Sequence, residues 1–398
     1  MIVTYKYKLY NTKKLKYLNN KIDISGIIWN HCIALHKRYY KLYKKYLNIY
    51  QLQKHITKLK KLDKYKFWNL VNSQTIQDIT ERIDKSYKQF FNKIKKKQKA
   101  RPPKFQKVKK YKSITFKQTG FKLLEDNKIN IQNKIFKYSN SRNIESEVKT
   151  LTIKRTDSGI YFYVVFDKKV NKNSTNSKLG KSTGIDVGLK TFLTLSDGTQ
   201  EKSPEFFKSN LKLIKQLHKK LSSKTKGSNN REKARISLSK GHERITNKRR
   251  DYFFKLADKL TKEHSYIFIE DLNLRGWKKL WGRKTSDIAI GEFFRILEHQ
   301  GNKNNCVVHK IDRYFASSKL CYECGWKKKD LTLEDRVWTC DICNTKHDRD
   351  LNAAKNIKRE GLSSLERKRE GSSSLRLDDV RLSASGSNCC LTLESPLL

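Results

Sequence analysis

Acidic residues are what this sequence most conspicuously lacks. Against 89 lysines and arginines stand 39 aspartates and glutamates, a formal charge of +50. Asp23 is the only acid in the first sixty residues, and none occurs from Lys93 to Lys112. Such a field favours polyanions: DNA, RNA or an anionic membrane. Long apolar runs are missing too. No uninterrupted stretch approaches the length of a spanning helix, which counts against a membrane-embedded protein. The start, MIVTYKYKLYNTKKLKY, sets lysines where a signal peptide needs its apolar stretch. The expectation is a cytoplasmic protein with no membrane partner. Proline is scarce at four residues, and two of them adjoin at Pro102-Pro103, where no helix can continue.

What is present falls into blocks, and 398 residues suffice for two or three domains. Apolar residues recur at helical spacing at Ile24, Ile27, Ile28, His31, Leu35, Tyr39, Leu42 and Tyr46, then at Ile76, Ile79, Ile83, Tyr87, Phe91 and Ile94. They predict a lysine-faced helical domain over roughly 12–95. The run KIKKKQKARPPKFQKVKKYKSITF follows as an extended basic connector. Lys95, Lys96, Lys97, Lys99, Arg101, Lys104, Lys107, Lys109 and Lys110 are its candidate nucleic-acid contacts. From Ser113 to Lys169 the period changes to two (SITF, KINIQ, VKTLTIKR, IYFYVVF), with a hairpin turn at Asp157-Ser158-Gly159. A small antiparallel barrel or sheet is expected there. A Ser/Asn/Lys linker covers 171–181. Two strands flank Gly188, basic helices run from Phe206 to His264, and SYIFIEDL and CVVHKID read as strands around the helix GEFFRILEHQGN. A short helix is expected from about Leu351. From Glu360 the sequence is low-complexity and reads as a disordered tail.

Two constellations carry chemistry. Cys321 and Cys324 form one C-x-x-C pair and Cys340 and Cys343 another, at the separation of a zinc ribbon. Four thiolates close a tetrahedral zinc site and leave no position for water, so the site is structural. Gly325 after the first pair suits a tight knuckle, and Asn344 in the matching place tolerates the same left-handed backbone. The second constellation is acidic. Asp186 lies in the strand GIDVG between apolar neighbours, Glu270 ends YIFIE, and Asp348 and Asp350 stand where a helix should begin. Alone, each has an ordinary reading as a solvated strand end or an N-cap. Together, on neighbouring elements, such carboxylates bind two Mg²⁺ ions for phosphodiester cleavage. Gly184 and Gly188 would let a nucleic-acid backbone approach Asp186.

GIDVGLKTFLTLSDG, YIFIEDLNLRGW and SSKLCYECG…CDIC…DRDLNAAKNI resemble the nuclease blocks and zinc ribbon of the TnpB (OrfB) family. These are insertion-sequence proteins related to type V CRISPR effectors. The basic connector and lysine-rich start are similar as well. Ala316 stands where the family commonly has proline, and Asn344 where it has glycine. The resemblance implies an α+β multidomain chain. Its parts would be an N-terminal strand and helical recognition domain (1–100), the connector with a wedge-like β-barrel (101–179), a RuvC-like (RNase H) nuclease domain (180–316), an inserted zinc ribbon (317–346), the last nuclease helix (347–359) and the tail (360–398). It implies catalytic acids at Asp186, Glu270 and Asp350, the D-x-N-A-A pattern selecting Asp350 over Asp348. It also implies structural Zn²⁺, catalytic Mg²⁺, a guide RNA, a double-stranded DNA target beside a short flanking motif, and work in a prokaryotic cytoplasm or nucleoid. The alternatives are an unguided nuclease or resolvase on the same fold, and a repressor whose nuclease is inactive.

Overall fold

A computed structural model describes residues 2–168 and 181–370, apart from 11, 145 and 333. The expected linker, but for Lys181, and the chain beyond 370 lie outside the described residues. Two compact units meet in sequence at Lys169 and Val170.

Among its described residues the first unit joins three α-helices and two 3-10 helices to one sheet. Strand β1 (Ile2–Leu9) precedes α1 (Leu15–Tyr43), α2 (Ile49–Leu59) and α3 (Ser73–Lys95). Then come β2 (Ser113–Phe116), β3 (Phe121–Leu124), β4 (Lys128–Ile131), β5 (Lys134–Ser139), β6 (Val148–Thr156) and β7 (Gly159–Asp167). The order is β2-β6-β7-β1-β5-β4-β3, with antiparallel pairings. β1 is thus a central strand, paired with β7 from Ile2↔Asp167 to Lys8↔Tyr161. Among the described residues β2 and β3 stand at the two ends of this hydrogen-bonded order, and the sheet is antiparallel as its period-two pattern predicts.

The helical stripes hold in part. Ile76, Ile79, Ile83 and Tyr87 of α3 are buried, whereas Ile94 is half exposed. On α1 the buried face runs through Leu15, Leu18, Ile22, Trp29, Cys32 and Ile33, while Ile27 and Leu42 face solvent. The helix stops at Tyr43 because Lys44 turns left-handed, φ 53°, so Tyr46 never joins the stripe. The basic connector does not run free. The Asn30 side chain accepts from the Gln106 amide at 2.9 Å and donates to its carbonyl at 2.7 Å, as a neighbouring strand would.

In the second unit β8 (Ser182–Val187), β9 (Thr191–Leu195) and β10 (Gln200–Lys202) form an antiparallel meander. Helices α4 (Phe206–Ser209), α5 (Leu211–Ser222) and α6 (Asn229–Glu263) lead to β11 (Tyr266–Glu270), then α7 (Leu274–Ile288), α8 (Ile290–Asn304) and β12 (Val307–Ile311). The sheet order is β10-β9-β8-β11-β12, and β11 lies parallel to both neighbours. A central parallel strand is covered on both faces, which is why YIFIE is apolar up to its last residue. Ile267 and Ile269 pack with Phe253, Phe293 and Leu297 of α6 and α8. Phe268, pointing the other way, packs with Ile311 and with Ile357 of the last helix.

A small hairpin, β13 (Val337–Thr339) and β14 (Lys346–Asp348), comes before that last helix, α9 (Arg349–Glu370). The sequence pattern predicts a short helix, ending at 359 before a disordered tail. The helix instead runs to Glu370, because Gly361 and Leu365 still face the sheet. A Cβ at Gly361 would collide with the Phe268 ring, and Leu365 packs against the Phe268–Ile311–Ile357 cluster. The SSL pattern that looks low-complexity is a helix face. Helix α7, for which the sequence pattern names no element, carries two glycines and a kink at Trp281.

Candidate active site and metal centre

Parallel pairing puts two acids side by side. Ile269 is in register with Ile185, so the next residues, Glu270 and Asp186, lie level on adjacent strands. Side chains alternate along a strand, so Asp186 shares a face with Gly184, and Glu270 with Phe268. That face is the one α9 covers: Gly184 abuts the α9 backbone at Ala354 and Lys358, and Phe268 abuts Gly361. The first turn of α9 carries Asp350. The three acids named from the sequence therefore meet where the α9 N-terminus crosses the carboxyl ends of β8 and β11.

Their electrostatics record the meeting. The Asp186 carboxyl is pushed well above the ordinary aspartate range, first by burial and then by the charges of Glu270 and Asp350, with Arg349 opposing. Burial also raises Glu270, against a hydrogen bond from Ser317. Half-buried carboxylates that raise a neighbour's pKa are costly without a compensating partner. Ser317, itself buried, donates its hydroxyl to Glu270 Oε1. Arg336 Nη1 spans both Asp350 oxygens at 3.2 Å. Asp348 acts differently, its Oδ1 accepting from the Leu351 amide at 2.9 Å, an N-cap bond for α9.

Gly184 and Gly188 do not open the site to a nucleic-acid backbone, contrary to the sequence expectation. A Cβ at Gly184 would lie 2.5 Å from Lys358 N, and one at Gly188 2.7 Å from the Thr191 carbonyl. The space at the first belongs to α9 and at the second to the β8–β9 turn.

The four cysteines form a cluster in which all sulfurs lie within 4.8 Å of one another. Two matching knuckles build it. Gly325 N donates to Cys321 O at 2.9 Å and Asn344 N to Cys340 O at 3.0 Å. Cys321 N donates to Trp326 O at 2.8 Å and Cys340 N to Thr345 O at 3.0 Å. Gly325 at φ 77° and Asn344 at φ 54° both adopt the left-handed backbone. The sulfurs of Cys321 and Cys343 are 3.5 Å apart, as are those of Cys324 and Cys340. Sulfurs at tetrahedral corners about 2.3 Å from a zinc ion stand roughly 3.8 Å apart, so the cluster fits a metal ion. Hydrogen bonds from Thr345 hold the Cys343 thiol down to about 6, and burial pushes Cys321 up to about 12. The sequence pattern gives His347 no role. Its Nε2 lies 3.0 Å from Cys321 Sγ, and its ring packs on Trp338. Ser317, Asn352 and Asn356 are likewise absent from the sequence-predicted site, though all three lie inside the quoted motifs.

The nine connector cations, Lys95, Lys96, Lys97, Lys99, Arg101, Lys104, Lys107, Lys109 and Lys110, are all exposed and belong to the first unit. Cys306, the residue before β12, is buried. Among the described residues no helix is long and apolar enough to cross a membrane.

Comparison with known proteins shows what this arrangement is similar to. Residues 164–280 match the OrfB_IS605 family, described as a probable transposase, and residues 291–357 match the Cas12f1-like TNB domain. The first match holds Asp186 and Glu270; the second holds the cysteines and Asp350. The fold is similar to the protein chain of a Cas12f1–sgRNA–target DNA complex, with a TM-score of 0.53 at 16% identity, covering 87% of this chain and 83% of that one. A Streptomyces pristinaespiralis protein named "Putative RNA-guided DNA endonuclease" is 28% identical over 369 residues, 90% of this chain and 89% of its own. Escherichia coli InsQ, of the same printed description, is 27% identical over 72% of this chain and 73% of its own. The TnpB-like protein L79 of Acanthamoeba polyphaga mimivirus is 31% identical over 54% of this chain and 44% of its own. The resemblance to the TnpB (OrfB) family read from the motifs is borne out by these matches.

Proposed function

We propose that this chain is an RNA-guided DNA endonuclease of a transposable element, and that its second unit is a RuvC-like (RNase H) nuclease. The observation that carries the reading is the convergence of Asp186, Glu270 and Asp350, from two adjacent parallel strands and one helix N-terminus, with Asp186 in the field of the other two. The names of the Streptomyces pristinaespiralis and Escherichia coli relatives support the same activity.

The chemistry of the donor set fits Mg²⁺, a hard cation that takes a few carboxylate oxygens and keeps water and phosphate oxygens as its other ligands. Asp186, Glu270 and Asp350 would hold the ions. The chemistry such a pair of ions would supply is activation of a water and charge stabilisation at the leaving oxygen of a phosphodiester. The chain's own residues set the conditions. Without a metal the raised Asp186 holds its proton, and a cation would take the place of that proton among acids that repel one another. Arg336 bonds both oxygens of Asp350, and each oxygen keeps a lone pair for a cation. Asp348 caps the helix that brings Asp350 in. The four cysteines would hold a structural zinc, and the exposed connector lysines would bind phosphates of a guide RNA or of the double-stranded DNA target.

A cleavage assay with co-expressed RNA, matching duplex DNA and Mg²⁺ tests this, beside a binding assay and sequencing of co-purified RNA. Asp186→Ala, Glu270→Ala and Asp350→Ala should each abolish cutting and spare binding. Asp348→Ala should lose about 1 kcal/mol of stability as a lost cap does, and keep activity. Wild-type cutting by all three acid variants would end the nuclease reading. Cutting by RNA-free protein would point to an unguided nuclease.

A further inference from the structure

One loop ties the cysteine cluster to the acids. Residues 316–322 run from the end of the sheet into the first knuckle, and three residues of α9, Asn352, Asn356 and Arg359, grip them. Asn352 donates to the Leu320 carbonyl at 2.7 Å and accepts from the Tyr322 amide at 3.0 Å, reading the loop as a paired strand would. Asn356 donates to Ser317 O at 2.9 Å and to Leu320 O at 2.6 Å. Its own oxygen accepts from Arg359 at 2.9 Å, and Arg359 reaches the Tyr322 carbonyl at 2.6 Å. Asn352 and Asn356 are 2% and 0% exposed, so these amides are costly to bury unless every bond is made. Cys321 lies inside the gripped segment. At its other end the Ser317 hydroxyl donates to Glu270.

We infer that Ser317 is a positioning residue for the metal-binding acids, held by Asn356, and that through it the cysteine ribbon and the helix bearing Asp350 set the orientation of Glu270. The inference rests on the nuclease reading above. A carboxylate that ends a strand can rotate about its side-chain torsions. A buried hydroxyl bonded to one oxygen removes that freedom and leaves the other oxygen to a cation. Ser317 is placed because its own carbonyl is pinned by Asn356, four residues along α9 from Asn352. The third acid and the partner of the second are thereby fixed by the same helix, and the knuckle between them cannot shift without moving both.

The test uses the full chain with its co-purified RNA. Mn²⁺ binding is measured by electron paramagnetic resonance as the ions held beyond those of the Asp186→Ala complex, alongside cleavage, zinc content and thermal midpoint. Ser317→Ala should weaken that Mn²⁺ increment by about tenfold, the lower end of the range for losing an outer hydrogen-bond partner of a metal ligand. Cleavage should then require correspondingly more metal, with zinc content and midpoint unchanged. Ser317→Thr, which keeps the hydroxyl, should restore both. Asn356→Ala should reproduce the Ser317→Ala loss in whatever fraction folds with zinc bound. Ser317→Ala binding Mn²⁺ and cutting as wild type does would overturn the inference, as would a loss that threonine fails to rescue. If wild type itself holds no Mn²⁺ beyond Asp186→Ala and does not cut, the nuclease reading falls and this inference with it.

Discussion

Adding one methyl group at Gly184 should separate the acids. A Cβ there would stand 2.5 Å from the Lys358 nitrogen and closer still to the Ala354 carbonyl, both backbone atoms of α9. Ordinary contact begins near 3.4 Å, so the helix must retreat by about 0.9 Å or more; no side chain can rotate aside. Overpacking of this kind costs about 1–3 kcal/mol, and more where backbone must move. The retreat also carries Asp350 away from Asp186 and Glu270, and a misplacement near 1 Å can cost about a hundredfold in rate. Gly184→Ala should therefore cut at least about a hundredfold more slowly, melt at lower temperature, and still bind guide and target. Gly282→Ala is the control: nothing lies within 4 Å of its added carbon, and alanine favours a helix. The assay is single-turnover cleavage beside a melt and a binding curve. If Gly184→Ala melted normally but lost DNA affinity, the glycine would serve nucleic-acid approach and not helix docking. Wild-type cutting and melting would refute the packing argument.

Elemental analysis of unchelated protein should find about one zinc per chain. Cys340→Ser should abolish it and destabilise the second unit, whereas Cys389→Ser and Cys390→Ser should leave it unchanged. Neutralising Lys95, Lys96, Lys97 and Lys99 together should flatten the salt dependence of RNA binding by up to about 3 in log–log slope; an unchanged slope would mean these lysines meet no phosphate. The raised Asp186 pKa has a sign in stability. The folded state holds this proton at pH values where the unfolded state has released it, so its contribution is full below the ordinary aspartate range and fades as pH rises through the raised value. In magnesium-free buffer the melting temperature should fall over that window. Asp186→Asn should flatten the fall, and an identical pH profile in the variant would contradict the burial described.

Local patterns were legible without a structure because they act over a few residues. The C-x-x-C spacing and the left-handed positions at Gly325 and Asn344 define each knuckle within its own loop, and both appear as read. The apolar run of YIFIE, broken only by its final acid, announced a central strand with a carboxylate at its end. Asp348 had the signature of a cap and makes the cap bond. The stripe on α3 held from Ile76 to Tyr87, where its partner is the core of its own unit.

Packing between distant segments decided the rest. That β1 sits in the middle of a seven-stranded sheet depends on strands more than a hundred residues away, and nothing in IVTYKYKL names them. Gly184 read as room for a nucleic-acid backbone, and Gly361 fell in the expected tail. Both are contact points of α9 with the sheet, and a glycine's reason lies in the atom opposite it, which is not written beside it in the chain. Ser317, Asn352 and Asn356 carry no signal by themselves, since a short polar side chain is as common on a surface as in a buried lattice of hydrogen bonds. The residue types for metal chemistry were thus set in one dimension. Their convergence required register between parallel strands, and a helix close enough to touch them.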